Sequence, residues 1–526
     1  MRIQIALLTT ISFGLVLAAC SGRADQKVGH DSVSALEIPP PPEENQPYFN
    51  PSVEEYNKIH ENSFMDVASS PISTFSADVD RASYSNVKRF IESGSLPPAD
   101  AVRIEELVNY FSYNYPQPTG ADPYSLTAEV TSCPWAPGHQ LALFGLQAKS
   151  IPTDNLPPSN LVFLIDVSGS MSDPNKLPLV KSSLTLLTQQ LREQDKVAIV
   201  VYAGAAGLVL PSTSGANKGD IVAALDKLES GGSTAGAAGI ELAYKVAAEN
   251  FKPNGNNRVI LCTDGDFNVG VSNENDLETL IEKKRETGIF LTCLGYGMGN
   301  YKDNKMETLA DKGNGNYAYV NDLMEAKKTL VNEFGGTLFT VAKDVKLQVE
   351  FNPAKVKSYR LIGYENRMLK TEDFTNDKKD AGEMGAGHTV TAIYEIIPAE
   401  SGKPATSQLK YQSSSLTDAA NGNEILTLRT RYKQPTDSVS KEIALPVNTS
   451  KGEFAQASEN LRWASSVAMF GMLLRNSEHK GSITWEMLES TAKASKGADD
   501  EGYRSDFIRM AGLAKELAAM KQAEGK

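Results

Sequence analysis

Three oxygen-bearing side chains stand at alternate positions where an apolar run stops: Asp166, Ser168 and Ser170 follow residues 161–165, with Gly169 between the serines. One carboxylate and two neutral hydroxyls offer a divalent ion hard oxygen donors, which favour magnesium, manganese or calcium over zinc. An ion so held keeps much of its positive charge and can still accept an outside anion. Further oxygens are needed, and the sequence offers Thr234, in Ser230-Gly231-Gly232-Ser233-Thr234, and Asp264, which follows a second apolar run at 259–263. Runs without polar interruption suit parallel strands covered on both faces, and ligands of such sheets sit where a strand turns into a helix.

The elements around these residues follow from periodicity. Helices are predicted over 176–191, 217–228, 235–250, 276–287 and 322–334, and strands over 197–202, 208–210, 259–263, 289–294 and 317–320. Strands alternating with helices of this length predict a doubly wound parallel sheet. Asp-x-Ser-x-Ser, a loop Thr and a loop Asp, in this order, resemble the metal-ion-dependent adhesion site of a von Willebrand factor A domain. The resemblance covers about residues 161–334. It implies an α/β, mostly parallel, Rossmann-like sheet and a metal site of Asp166, Ser168, Ser170, Thr234 and Asp264. It also implies a divalent cation, magnesium first with manganese or calcium as substitutes, and a protein partner that presents an exposed acidic residue.

Other readings of the same stretches fail on chemistry. Asp264-Gly265-Asp266-Phe267-Asn268 begins like a calcium loop, but Val269 stands where Gly is required and Asn275 where Glu is required. The glycines at 295, 297 and 299 lack the Lys-Ser/Thr of a phosphate cradle. Asp78-Val79-Asp80 follows no apolar strand, and Ala82 replaces the Thr or Val of a phosphoryl-transfer motif, so it reads as a turn. No Gly-x-Ser-x-Gly elbow is present, and the expectation is a binding protein, not an enzyme. The alternatives are a docking subunit of an envelope complex with a purely structural metal, and a metal-dependent hydrolase.

The chain has 526 residues, enough for three or more units, and a net charge of −13 with no Lys/Arg cluster, which argues against nucleic acid. Arg2 precedes an apolar stretch that ends in Leu17-Ala18-Ala19-Cys20, resembling a bacterial lipobox. Residues 1–19 are then a signal peptide, Cys20 is lipidated, and the protein is anchored in the cell envelope, at the outer membrane if the cell is Gram-negative. An ordinary secretory signal is the competing reading. Residues 20–70 read as a proline-bearing linker, 71–157 as a module of helices and first sandwich strands, and 158–336 as the A domain. Alternating strands over 337–435 predict a β-sandwich into which the A domain is inserted, and 450–526 reads as helical, with stripes through Leu461–Leu474 and Tyr503–Leu517. Resemblance of both flanks to bacterial envelope lipoproteins extends to most of the mature chain. Cys133, Cys262 and Cys293 are an odd set, and the last two sit in apolar runs as buried thiols.

Overall fold

The computed structural model describes residues 54, 56–152, 155–232, 236–265, 274–298, 301–333, 339–400, 416–450 and 452–524. Cys20, Thr234, Asp266 and Asn268, singled out above, lie outside them.

Residues 159–166 form a fully buried strand at the middle of a six-stranded sheet. The sheet runs Tyr317–Val320, Ile289–Tyr296, Asn256–Thr263, Ser159–Asp166, Lys196–Tyr202 and Ala206–Ser214, parallel except for the last, antiparallel edge. Alternation along the Asp166 strand divides the core between its two faces. Leu161, Phe163 and Ile165 pack with Val180, Leu184 and Leu187 of helix Leu177–Gln190. Val162 and Leu164 pack with Ile240, Ala243 and Tyr244 of helix Gly236–Glu249. Each fully buried side chain of this size contributes about 1.5–3 kcal/mol, so the apolar run holds the strand without help from the Asp at its end.

The predicted insertion is present. Gln140–Ala148, before the A domain, pairs antiparallel with Thr389–Pro398, after it, and Ile72–Ser76 pairs with Thr340–Phe351. Two antiparallel sheets result: Met65–Asp66, Val356–Ile362, Thr389–Pro398, Gln140–Ala148 and Tyr124–Ser132 in one, and Met368–Leu369, Ile72–Ser76, Thr340–Phe351, Glu424–Lys433 and Lys441–Asn448 in the other. Phe75, Phe144, Leu347, Val349, Tyr394 and Leu428 fill the space between them. The outer face of the first sheet, through Leu141 and Leu143, carries the helices Ala82–Glu92, Ile104–Asn109, Glu459–Arg475 and Tyr503–Glu524, packed around Phe111, Trp463, Phe470 and Phe507.

Several expectations need correction. Residues 56–70, expected to belong to a spacer, include the strand Met65–Asp66, and Asn62 donates to the carbonyls of Leu361 and Gly363. Between the strands expected over 337–435 and the helical region from 450 lies a further edge strand, Lys441–Asn448; its charges, its exposure and Pro446 disguise it, as edge strands require. The helix Asp303–Lys312 was not anticipated, because it buries Asp303 and Glu307 along with Met306, Leu309 and Ala310 and so shows no clean apolar stripe. The closing helix is Leu323–Lys327, capped by the Asp322 side chain, and passes into a π turn over Lys328–Asn332. Asp78 and Asp80 are structural, both ion-paired to Arg367. Cys133, Cys262 and Cys293 are buried free thiols.

Candidate metal site

Ile165 pairs with Cys262 on one side, and Asp166 pairs with Tyr202 on the other. The chain leaves the Asp166 strand toward Lys196–Tyr202 and leaves the Asp264 strand toward Ile289–Tyr296, so the two strands part at the switch point of the sheet. Asp166 and Asp264 therefore reach one crevice.

Asp166 is 0% exposed and Ser168 2%, whereas Ser170 lies at the exposed rim. The serines sit at the start of a 3-10 turn, Gly169–Ser172, that folds their hydroxyls to within 3.0 Å of each other. The Asp166 carboxylate is held from below. Oδ1 accepts the Ser168 backbone N–H at 2.9 Å, and Oδ2 accepts the hydroxyls of Tyr202 and Thr263, each at 3.1 Å. Among the described residues no Lys or Arg pairs with it. Burial raises its pKa, the bonds from Ser168 oppose the rise, and the nearby Asp264 charge adds to it. A fully buried carboxylate without a counter-ion is costly, and that is the state a cation would relieve.

Asp264, also buried, receives the Lys176 ammonium on Oδ2 at 3.0 Å. The loop before Thr234 is tied to the same turn: Gly231 N–H donates to the Val167 carbonyl at 2.7 Å and Gly169 N–H to the Gly232 carbonyl at 3.1 Å. Gly265 has φ +86, and a Cβ there would come within 2.9 Å of the Lys302 nitrogen, so the turn after Asp264 admits no side chain.

Thus Asp166, Ser168, Ser170 and Asp264 converge. Among the described residues no group of three or more His, Cys, Asp or Glu could hold a metal ion, so any ion here relies on hydroxyl oxygens as well. The oxygen-only donor set and the uncompensated Asp166 fit a hard divalent cation. The sequence reading missed Tyr202, Thr263 and Lys176. The first two are polar residues at the ends of the strands that flank Asp166, a signal that only the strand register makes readable. Lys176 carries no signal of its own.

Comparison with known proteins adds the following. Residues 160–333 match the von Willebrand factor type A domain family, 50–143 the family described as von Willebrand factor, and 336–517 that of the uncharacterized protein YfbK, C-terminal. The uncharacterized protein YfbK of Escherichia coli K12 is 43% identical over 481 residues, which is 90% of this chain and 83% of that one. The uncharacterized protein sll0103 of Synechocystis is 29% identical over 199 residues, 37% of this chain and 45% of its own. A von Willebrand factor type A structure from Catenulispora acidiphila aligns with 75% of this chain and 90% of its own at 14% identity and a TM-score of 0.41.

Proposed function

The chain belongs to the family of von Willebrand factor type A domain proteins that includes Escherichia coli YfbK, and from that membership we propose that it is a lipid-anchored cell-envelope protein whose A domain holds a divalent cation and with it grips an acidic group of a protein partner. Domains of this type mediate protein–protein interaction and typically bind a divalent cation. The observation that carries the reading is the buried Asp166 carboxylate, hydrogen-bonded by Ser168, Tyr202 and Thr263 and paired with no cation among the described residues.

Magnesium is the proposed ion, with manganese or calcium able to replace it, and Asp166, Ser168, Ser170, Thr234 and Asp264 are the proposed ligands, direct or through water. Bound there, the ion supplies a positive centre with a coordination position that an outside carboxylate oxygen can take. Asp166 anchors the set from the floor of the crevice. Ser168 and Ser170 add oxygens without adding charge, and Ser170 stands at the rim that a partner reaches first. Anchoring is proposed through lipid on Cys20, at the outer membrane if the cell is Gram-negative.

Titrating wild type and Asp166→Ala with Mn²⁺ tests the site. The variant should lose at least about 100-fold in affinity, since the main charged ligand is gone, with the fold intact. Equal affinity would remove the assignment. Pull-down from envelope extracts with and without chelator tests the function, and capture indifferent to chelator would leave the ion a structural role. Cys20→Ala should leave the protein unprocessed or free of the membrane fraction, and full sedimentation with membranes would sink the anchor.

A further inference from the structure

The crevice contains its own fixed cation. Lys176 precedes helix Leu177–Gln190, is 7% exposed, and donates from Nζ to the Ser170 carbonyl at 2.9 Å and to Asp264 Oδ2 at 3.0 Å. A third carboxylate, Asp173, lies 3.8 Å away but is 65% exposed. The stem of Lys176 is clamped as well. It passes over Gly297, where a Cβ would stand 2.5 Å from Cε and 2.6 Å from Cγ, and where φ is +76. The ammonium therefore has one place to be, between the turn that carries Ser168 and Ser170 and the second proposed carboxylate.

Its charge decides what the site can hold. Asp166 and Asp264 alone would neutralise a divalent ion, and an outside carboxylate would then meet no net attraction. With Lys176 beside Asp264, the three buried groups Asp166, Asp264 and Lys176 sum to a single negative charge, so a divalent ion among them leaves one positive charge in excess. Charges a few ångströms apart near a protein surface couple strongly enough to change equilibria by tenfold or more. We infer that Lys176 is the residue that makes cation binding and anion binding interdependent in this site: it weakens the bare ion and reserves tight binding for the ion together with a carboxylate. This rests on the ion-binding reading above and goes beyond it, because it states why the ion alone should be held poorly and what completes it.

The test uses Mn²⁺ as the ion and acetate as the carboxylate, at constant ionic strength and with the acetate complex of free Mn²⁺ allowed for. In wild type, saturating acetate should tighten Mn²⁺ binding at least tenfold. Lys176→Met should bind Mn²⁺ without acetate at least tenfold more tightly than wild type, and its affinity should no longer respond to acetate. Lys176→Arg, which keeps the charge, should retain the acetate response. Bare Mn²⁺ affinity in Lys176→Met equal to or below that of wild type overturns the inference, as does wild-type binding indifferent to acetate. Should Lys176→Met not fold, Lys176→Gln carries the same expectations, and a wild type indifferent to acetate overturns the inference without either variant. Asp166→Ala separates the two levels. If it binds Mn²⁺ as wild type does, the metal site itself is wrong; if it does not bind while Lys176→Met is unchanged, only the role of Lys176 falls.

Discussion

The A domain buries carboxylates in several places, and two of these treat them in opposite ways. At the switch point, Asp166 has hydrogen bonds and no cationic partner among the described residues. Along the seam with the flanking modules, helix Asp303–Lys312 turns Asp303, Glu307 and Asp311 toward two guanidinium groups. Arg103 reaches Glu106 at 3.0 Å, Asp303 at 2.8 Å and Glu307 at 3.0 Å. Arg367 reaches Asp78 at 2.9 Å, Asp80 and Asp311 each at 3.0 Å and Glu307 at 3.2 Å. The seam's carboxylates lie against guanidinium forks that join three parts of the chain, whereas at the switch point Lys176 pairs with Asp264 and Asp166 has no cation of its own among the described residues. The seam's acids come with built-in arginines; Asp166 meets only hydroxyl and amide donors, as buried Glu325 meets only the hydroxyls of Tyr110 and Thr329, so it is the serine turn and Asp264 beside it that set Asp166 apart.

The strongest way to break this contrast is a reciprocal pair of variants. Arg367→Ala strips the guanidinium from four carboxylates and should lower unfolding free energy by about 3–5 kcal/mol, the usual cost of orphaning buried charge, while leaving the Mn²⁺ affinity of the crevice within about twofold. Asp166→Ala should do the reverse, abolishing ion binding with the fold intact and a smaller loss of stability than Arg367→Ala. Denaturant melts and Mn²⁺ titrations on both proteins check it. If Arg367→Ala loses the ion and keeps its stability, the two regions have been assigned the wrong way round.

A gentler probe is pH, because the seam has more carboxylates than its two arginines can balance. Burial and neighbouring acids push Glu106 and Asp311 up to about 7 and Asp80 well above its ordinary value, although the arginines oppose the rise. A carboxyl whose folded pKa is raised binds more protons folded than unfolded, so its stabilisation is present at low pH and is lost as pH climbs through about 7. His388 works against this. Burial and Arg81 push it down to about 3, so it costs stability as pH falls below its ordinary 6.5. His388 adds little between pH 8 and about 6.5, and stability should rise across that window by about 1–2 kcal/mol, with Glu383, which burial also pushes up to about 7, adding to the seam's share. Melting curves in buffers of matched ionic strength measure the gain. A fall on acidification from pH 8 to 6.5 would contradict the seam's excess of acids.

The same contrast explains what could be read before the structure. The A-domain strands were legible because five uninterrupted apolar residues, 161–165, can only be buried on both sides, and the turn that brings the Ser168 and Ser170 hydroxyls together after Asp166 was legible because the three are close neighbours in the chain. Even the sandwich insertion followed from alternating strands on both flanks. The seam was opaque. Arg103, Asp303 and Arg367 are brought together by folding from points some 60 to 200 residues apart, and a helix that buries acids against arginine has the composition of a solvated one. Tyr202 and Thr263 were hidden for a related reason. As the last residues of apolar strands they look like packing, and only strand register turns their hydroxyls to Asp166.

That register supplies the smallest and sharpest test. Tyr202 is fully buried, its ring packs in the A-domain core, and its hydroxyl donates to Asp166 Oδ2 at 3.1 Å. Tyr202→Phe keeps the ring and removes one donor. A hydrogen bond to a charged group is worth about 1.5–3 kcal/mol at most, and the Thr263 hydroxyl remains on the same oxygen, so the loss should fall at the low end. Two consequences can be separated. If Tyr202 only relieves the cost of burying Asp166, the variant should lose about 1 kcal/mol of stability and bind Mn²⁺ as well as before or better, since the ion takes over the relief. If Tyr202 fixes the rotamer in which Asp166 faces the crevice, Mn²⁺ affinity should fall about tenfold, the usual penalty for loosening a ligand's support. Oδ1 is already pinned by the Ser168 amide and Oδ2 by Thr263, which leaves little orientation for Tyr202 to enforce. The expected outcome is therefore the first: a small stability loss with ion affinity held or improved, measured by thermal melts with and without Mn²⁺. A tenfold weaker ion with an unchanged apo melt would show that the floor of the crevice aims its carboxylate and does not merely shelter it.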